Sequence, residues 1–350
     1  MKILHLLSSD IYSGAEKVAC DIIESLSEDY EMMYASPVGI NLKYLKSRNI
    51  DFLPLKKMNI SEIYKVINSY KPDLIHAHDF RASTLAGFIG VFSQIPVIAH
   101  LHNNSPWIAS LNVYSITFLL SSYRIRKILG VSSSILDEYI FSKQIKEKFE
   151  ERFNPIDVNS IIKKSQEYSI DDSYDLVFVG RLSSEKNPLE FLEIVKVLKE
   201  EYPKLRAVIL GDGPLIESCK EYAKQNLAIG SVEFKGYVEN PMPFILKAKI
   251  MVITSLWEGF GLAAVEALSM GKPVIARNVG GLKKIINADC GALCDTKEHF
   301  IRECVKLLSR SDIYMRKSEV AVNRAWQLDN REEYKKEIKR VYNEILQRLK

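Results

Sequence analysis

Two carboxylates, Glu258 and Glu266, stand with seven residues between them in the stretch Ser255-Leu256-Trp257-Glu258-Gly259-Phe260-Gly261-Leu262-Ala263-Ala264-Val265-Glu266. Gly259 and Gly261 let backbone come close to a ligand. From Leu262 onward the pattern is helical. A helix starting there points its free N–H groups and the positive end of its dipole at an anion such as phosphate. Glu258 lies in the loop before the helix and Glu266 roughly one turn inside it. A carboxylate can accept two hydrogen bonds from a vicinal diol, and a ribose offers one. Glu266 has Val265, Ala267 and Leu268 as neighbours, and an acid among them needs a partner. A second cluster is Gly180-Arg181-Leu182-Ser183-Ser184-Glu185-Lys186-Asn187-Pro188. Gly180 allows a tight turn, and Arg181 and Lys186 are two cations suited to a diphosphate through charge-assisted hydrogen bonds. Read alone, this is equally a solvated loop carrying two cations. Gly211-Asp212-Gly213-Pro214 reads as a turn before a helix, with or without a ligand.

His76, His78, His100 and His102 invite a metal reading, because each pair shares one side of an extended strand. No acidic or Cys ligand set has matching spacing, and His5, His76 and His100 read more simply as core or strand-end residues. The five cysteines, Cys20, Cys219, Cys290, Cys294 and Cys304, fit no disulfide scaffold and read as small apolar residues in a reducing compartment.

These residues need a frame, and the chain of 350 residues is long enough for two domains. Short apolar runs alternate with helical patterns, the signature of βαβ units and parallel sheets. Strands are expected at Ile3–Leu7, Asp73–His76, Val97–Leu101 and Ile128–Val131, with helices such as Ala15–Leu26 and Ser61–Asn68. A second series runs through Asp175–Val179, Ala207–Leu210, Val232–Phe234, Ile250–Thr254 and Pro273–Ala276. The polar, weakly patterned segment Ser160–Asp175 marks the boundary, giving an N-terminal domain over 1–165 and a C-terminal domain over 166–330. Both are doubly wound, and in such sheets ligands bind beyond the carboxyl ends of the strands. Residues 331–350 carry Tyr334, Ile338, Val341, Tyr342, Ile345 and Leu349 at helical spacing, as a packing helix does.

Composition narrows the function. Forty-eight basic against 44 acidic residues give a net charge of +4, too balanced to argue for nucleic acid. No apolar run reaches the length of a membrane-spanning helix, and the first residues read as a buried strand rather than a secretion signal. A cytoplasmic protein is expected. The apolar, aromatic segment Trp107–Leu120, followed by Arg124, Arg126 and Lys127, reads either as a core helix with a basic end or as a surface that docks on anionic lipid.

The pair Glu258…Glu266, set in "SLWEGFGLAAVEALSMGKPVIA", closely resembles the E-x7-E motif of the retaining glycosyltransferases of family 4. "VFVGRLSSEKN", "VILGDGP", "VEFKGYV" and "NVGG" follow the family's order, and "SGAEKVA" and "NPID" resemble its first half. The resemblance covers essentially the whole chain and is thinner over residues 30–150. It implies the GT-B architecture: two Rossmann-like domains facing across a cleft, the second binding the nucleotide-sugar, the first the acceptor, and the final helix returning to pack on the first. Arg181 and Lys186 then match the pair that neutralises the donor diphosphate. Glu266 matches the acid on the ribose hydroxyls, Glu258 the acid on the transferred sugar, and Gly259, Phe260, Gly261 and Leu262 the cradle. Val238, in Gly236-Tyr237-Val238, matches the region beside the base. Gly14 matches a glycine of a first-domain loop that closes on the donor, and His102 a histidine near the reacting sugar.

The implied activity is retaining, metal-independent transfer of a hexose or N-acetylhexosamine from a UDP-sugar to a glycan or polyprenyl-linked acceptor. The implied setting is bacterial surface polysaccharide such as capsule, with no cofactor beyond the donor; the lipid-docking alternative for Trp107–Lys127 would add peripheral contact on the inner face of the plasma membrane. Two departures stand out. Ser13 replaces the first glycine of a Gly-Gly pair, and Lys283-Lys284 follow Gly280-Gly281 where the family often has Glu, which bears on donor-sugar preference. Rival readings are a sugar-nucleotide epimerase on the same scaffold, a non-catalytic nucleotide-sugar-binding subunit, and a dinucleotide oxidoreductase. The last lacks G-x-G-x-x-G after the first strand, where "SSDIYSGAEK" stands.

Overall fold

The computed structural model describes residues 1–347. The chain divides into two compact units, one of residues 1–155 with 330–350 and one of residues 156–329. Each is built on one parallel sheet. In the first, β1 (Lys2–Leu7), β2 (Glu31–Pro37), β3 (Phe52–Leu55), β4 (Leu74–His78), β5 (Val97–Leu101), β6 (Ile125–Gly130) and β7 (Phe149–Glu151) lie in the order β3-β2-β1-β4-β5-β6-β7. In the second, β8 (Tyr174–Val179), β9 (Ala207–Leu210), β10 (Val232–Phe234), β11 (Ala248–Ile253), β12 (Val274–Arg277) and β13 (Gly291–Cys294) lie in the order β10-β9-β8-β11-β12-β13. Every strand pairing in these ladders is parallel. In each sheet the winding direction reverses beside the first strand, between β1 and β4 and between β8 and β11.

The central strands are buried on both faces, because helices cover both sides of a parallel sheet. All residues of β4, β5 and β9 are buried. Helix Gly14–Leu26 buries Val18, Ala19, Ile22, Ile23 and Leu26 against β1, β2 and the terminal helix Arg331–Gln347, which contributes Tyr334, Ile338, Val341, Tyr342 and Leu346 to the same core. The terminal helix therefore belongs to the first unit, and Ile345 packs at the core's edge. Leu349 lies outside the described residues.

The boundary falls ten residues earlier than the polarity of Ser160–Asp175 suggests, at Pro155/Ile156. Part of that stretch is a helix, Val158–Ser165, which buries only Val158 and Ser165 and is otherwise polar. It starts on Asp157, whose side chain accepts from Ser160 N–H at 2.8 Å, and Val158 N–H donates to Asp329 at 2.8 Å. Those bonds, with packing against helices Met242–Lys247 and Leu262–Ser269, attach it to the second unit. Strands β2, β3, β7 and β13 are not among the expected ones. β3 and β7 are short and lie at the two margins of the sheet; Pro54 interrupts β3 and two acids follow Phe149 in β7. All five cysteines are buried and free.

Candidate active site

In the second unit the reversal between β8 and β11 opens a crevice at the strands' carboxyl ends. The loops there are laced together by backbone. Gly180 N–H donates to Leu210 O at 3.0 Å and Gly211 N–H to Gly236 O at 2.7 Å, joining the loops after β8, β9 and β10. Leu256 N–H donates to Glu185 O at 2.7 Å. The fully buried Thr254 donates its hydroxyl to the carbonyls of Lys186 and Asn187, at 3.1 and 2.9 Å. The loop carrying Arg181 and Lys186 is thus fastened to the one carrying Glu258.

The consequence is a direct ion pair: Lys186 Nζ donates to Glu258 Oε2 at 2.5 Å. Both side chains are partly exposed, so the pair is open to exchange with an incoming ligand. Arg181, on the same loop, is exposed; its carbonyl accepts from Ser183 N–H at 3.0 Å, and among the described residues its guanidinium makes no hydrogen bond or ion pair. One cation is held in place and a second is free.

Helix Leu262–Ser269 starts at Gly261, whose φ of 98° lies in the left-handed region. A Cβ there would stand 2.6 Å from Leu282 Cδ2, so both conformation and space require glycine. Gly281 is constrained by space alone: a Cβ would meet Gly259 O at 2.4 Å, and its N–H donates to Glu258 O at 3.2 Å. The Gly280-Gly281 turn therefore rests on the Gly259–Phe260 backbone, and Phe260 is buried beneath it. Glu266 is buried in the helix, 8% exposed. Val238 stands in the loop after β10, the outermost strand, two strands from β8.

The first unit places a different set at the same edge. Ser13 precedes helix Gly14–Leu26, and its backbone N–H and hydroxyl donate to Glu16 at 3.0 and 2.5 Å. Glu16 is buried, and burial raises its pKa. On β1, β4 and β5 the register sets His5 opposite His76 and His78 opposite His100, with His102 one residue past β5. Five imidazoles thus share one face. His5 Nδ1 lies 3.0 Å from His78 Nε2, whose Nδ1 lies 3.0 Å from His102 Nε2. His76 Nε2 lies 3.2 Å from His100 Nδ1, and its Nδ1 lies 2.6 Å from the Tyr342 hydroxyl.

Two groups, His5–His76–His78 and His78–His100–His102, hold ring nitrogens within 4.8 Å of one another, so the metal reading has a geometric basis the sequence spacing did not reveal. The ring orientation decides between files and a shared centre. The centroid separations in the three N···N pairs, 5.2, 5.3 and 5.3 Å, exceed the N···N distances by about two ring radii, and the planes are within 24° of parallel. In these three pairs the rings lie edge to edge in line, as hydrogen-bonded files. Burial keeps them neutral: it lowers the pKa of His5 and His102 to about 3 and that of His76, His78 and His100 well below the ordinary value.

Four further residues shape these edges and were not singled out in the sequence. Asp79 follows β4 at φ 79° and accepts from Ser8 N–H and Oγ and from Ala82 N–H, at 3.0, 2.8 and 2.8 Å. It ties the β1 loop to the helix after β4, and burial raises its pKa. The run "HAHD" places an acid at a strand end, a signal that was available; its backbone conformation was not. Glu16 closes the capping pattern Ser-x-x-Glu, which is visible in "SGAE". Glu190 pairs with Arg277 and accepts from Asn187 Nδ2 at 2.6 Å, bracing the Lys186 loop from behind. That contact joins residues 87 apart, beyond reach of local pattern.

The match to known proteins follows this anatomy. Residues 160–324 match the model for glycosyl transferases group 1, and residues 12–160 match the model for Glycosyltransferase Family 4. The chain is a GT-B glycosyltransferase of group 1, resembling family 4. An uncharacterized glycosyltransferase of Methanocaldococcus jannaschii, MJ1059, is 27% identical over 66% of this chain, a match that spans only 62% of that protein's own length. The UDP-Gal:alpha-D-GlcNAc-diphosphoundecaprenol alpha-1,3-galactosyltransferase of Escherichia coli is 26% identical over 80% of each chain. Anabaena Alr3699/HepE, solved with UDP and glucose, superposes with a TM-score of 0.85 at 18% identity, over 98% of this chain and 99% of that one. The fold of this glycosyltransferase is therefore the expected pair of Rossmann-like units.

Proposed function

We propose that this glycosyltransferase moves a hexose or N-acetylhexosamine from a UDP-sugar to a glycan or lipid-linked acceptor with retention of configuration, in bacterial surface polysaccharide synthesis. The observation that carries the reading is the Lys186–Glu258 pair beside a free Arg181 and a glycine-started helix, at the switch point of the second sheet.

Breaking the bond between the anomeric carbon and the diphosphate puts negative charge on the leaving phosphate and positive charge on the sugar ring. Cations fixed in advance stabilise the first. Arg181, Lys186 and the N–H groups at Leu262 are that set, with side chains rather than a resident metal neutralising the diphosphate. When diphosphate takes Lys186, Glu258 is released to the sugar. Glu266 holds the ribose hydroxyls, and Val238 stands beside the base. Gly14 lets the first-unit loop approach the donor, and His102 lies near the reacting sugar. The acceptor oxygen forms the new bond on the face the diphosphate leaves, and its proton passes to a departing phosphate oxygen. The galactosyltransferase named above acts on a diphosphoundecaprenol-linked sugar, which supports the lipid-linked class of acceptor.

The test is thermal stabilisation by a panel of nucleotide-sugars, for the native chain and Glu266→Ala. A ligand at 100 times its Kd stabilises the folded state by about 2.7 kcal/mol. One nucleotide-sugar should raise Tm in the native chain and lose its effect in the variant. No response to any of them, or an equal response from both proteins, would remove the donor assignment. Turnover of that nucleotide-sugar without acceptor, giving an epimer, would replace transfer by epimerisation.

A further inference from the structure

Helix Val113–Ser122 is inside out. Its buried face carries Ser115, Ser121 and Ser122 around Phe118, while Val113, Tyr114, Ile116 and Leu120 face outward. A helix on a water-facing surface shows the reverse arrangement. The serines are inward because the helix Phe80–Ser93 comes close: a Cβ on Gly87 would stand 2.7 Å from Ser121 O. Their hydroxyls are satisfied locally, Ser115 on Ser110 O at 2.9 Å, Ser121 on Phe118 O at 2.8 Å and Ser122 on Leu119 O at 2.6 Å. Close packing explains the buried serines. It does not explain why the outward positions are apolar.

The outward face continues beyond the helix. Leu111 precedes it, 68% exposed, Tyr123 follows it, 72% exposed, and Phe92, 83% exposed, ends the neighbouring helix. Trp107 borders this surface, packing edge-on against Phe80 and, with ring centroids 5.9 Å apart, against Tyr114.

Charge surrounds the face on one side only. No Asp or Glu occurs between Asp79 and Asp137. Arg124 donates to Gly90 O, and Lys148 donates to the carbonyls of Ser122 and Tyr123 at 2.8 and 3.2 Å, so both cations are held at the helix's C-terminal end beside Phe92 and Tyr123. Burial first, and then nearby Arg126, disfavours the charge on Lys148. Helix Ser142–Ile145 packs alongside, and exposed Lys143 and Lys146 lie in and just past it, with Glu147 and Glu344 the exposed acids in the groove beside Arg126 and Lys148. Lys127 is already paired with Glu150.

We propose that this face docks on an anionic lipid bilayer, with Val113, Tyr114 and Leu120 entering the boundary between headgroups and acyl chains and Arg124, Arg126 and Lys146 meeting lipid phosphates. An exposed apolar and aromatic face beside a cluster of cations is the pattern of helices that lie in the membrane interface. A second copy of the chain would bring the same cations against themselves, so the bilayer is the better complement. The inference rests on exposure and charge in the first unit and stands whether or not the donor assignment does.

The experiment is co-sedimentation of the full chain with vesicles of phosphatidylcholine, with and without phosphatidylglycerol, at low and high salt. Two variants accompany it, Val113→Ser/Leu120→Ser and Arg126→Glu/Lys146→Glu, with Tm confirming that each is folded. The native chain should bind the anionic vesicles, less so at high salt, and each variant should bind at least about tenfold more weakly, a loss of about 1.4 kcal/mol. No binding by the native chain, or variants that bind as well as it does, overturns the proposal. A native dimer that Val113→Ser/Leu120→Ser makes monomeric, without vesicle binding, assigns the face to a second copy instead.

Discussion

The two sheet edges share a topology and carry opposite chemistry. At the edge of the second unit the polar groups are charged and reachable: Arg181 is exposed and Lys186–Glu258 is partly so. At the edge of the first unit stand five of the chain's six histidines in hydrogen-bonded files, four of them fully buried, and burial lowers the pKa of each. Burial accounts for the difference. A charge in a dry site costs several kcal/mol, so the imidazoles give up their protons, whereas cations at a wet rim keep theirs. The comparison assigns ionic recognition to the second unit and a rigid, uncharged floor to the first.

The largest effect expected from this contrast is in pH. The folded histidines have pKa values far below their unfolded value of about 6.5. The unfolded chain therefore binds more protons as pH falls below that value, and the stability of the neutral files, complete above it, is lost progressively on acidification. Each fully buried histidine contributes up to about 1.4 kcal/mol per pH unit, so His5, His76, His78 and His100 together reach several kcal/mol between pH 6.5 and 5.5. Asp79 and Glu16, with raised pKa values, work in the opposite direction, but they are two against four. Urea unfolding of Trp257→Phe/Trp326→Phe, leaving Trp107 as reporter of the first unit, should show a midpoint well lower at pH 5.5 than at pH 7.5. Equal midpoints would mean that the imidazoles are hydrated and the contrast between the edges is false.

The sequence made one edge far more legible than the other. Arg181, Lys186, Glu258 and Glu266 sit on loops and a helix start whose glycines mark them, and the alternation of strand and helix patterns predicted the sheets. His5 is the counter-example. It was read as a core residue, and its place opposite His76 depends on β1 lying beside β4, a neighbour from 71 residues away in sequence. The Arg277–Glu190 brace and the Lys186–Glu258 pair are likewise long-range. The domain boundary was misplaced because helix Val158–Ser165 buries too little to show an apolar stripe.

The second effect isolates the charged edge. Removing a preorganised group that stabilises developing charge costs about 100- to 1,000-fold in kcat. Arg181→Ala should show that loss with stability unchanged, because the Arg181 guanidinium makes no bond that folding depends on. Lys186→Ala removes the same help and also leaves Glu258 without its partner, so it should reduce activity similarly while altering the stability of the second unit. Steady-state kinetics and melting curves separate the two. If Arg181→Ala retains full kcat, ionic recognition of the leaving group does not run through this loop.

The smallest effect compares two glycines at matching helix starts. Gly261 is at φ 98° with Leu282 Cδ2 where a Cβ would go, while Gly14 is not among the glycines at positive φ and opens its helix in ordinary geometry. An L-residue in the left-handed region costs about 1–2 kcal/mol, so Gly261→Ala should lower the stability of the second unit by at least that much. It should also weaken donor binding, because the first N–H groups of helix Leu262–Ser269 would shift. Gly14→Ala should leave the stability of the first unit within about 0.5 kcal/mol of the native value, as a substitution free of strain does. Melting curves on both variants decide the matter. Equal losses would show that the first-unit loop is as tightly specified as the phosphate-facing one, and the division into a recognition edge and a passive floor would have to be redrawn around Gly14.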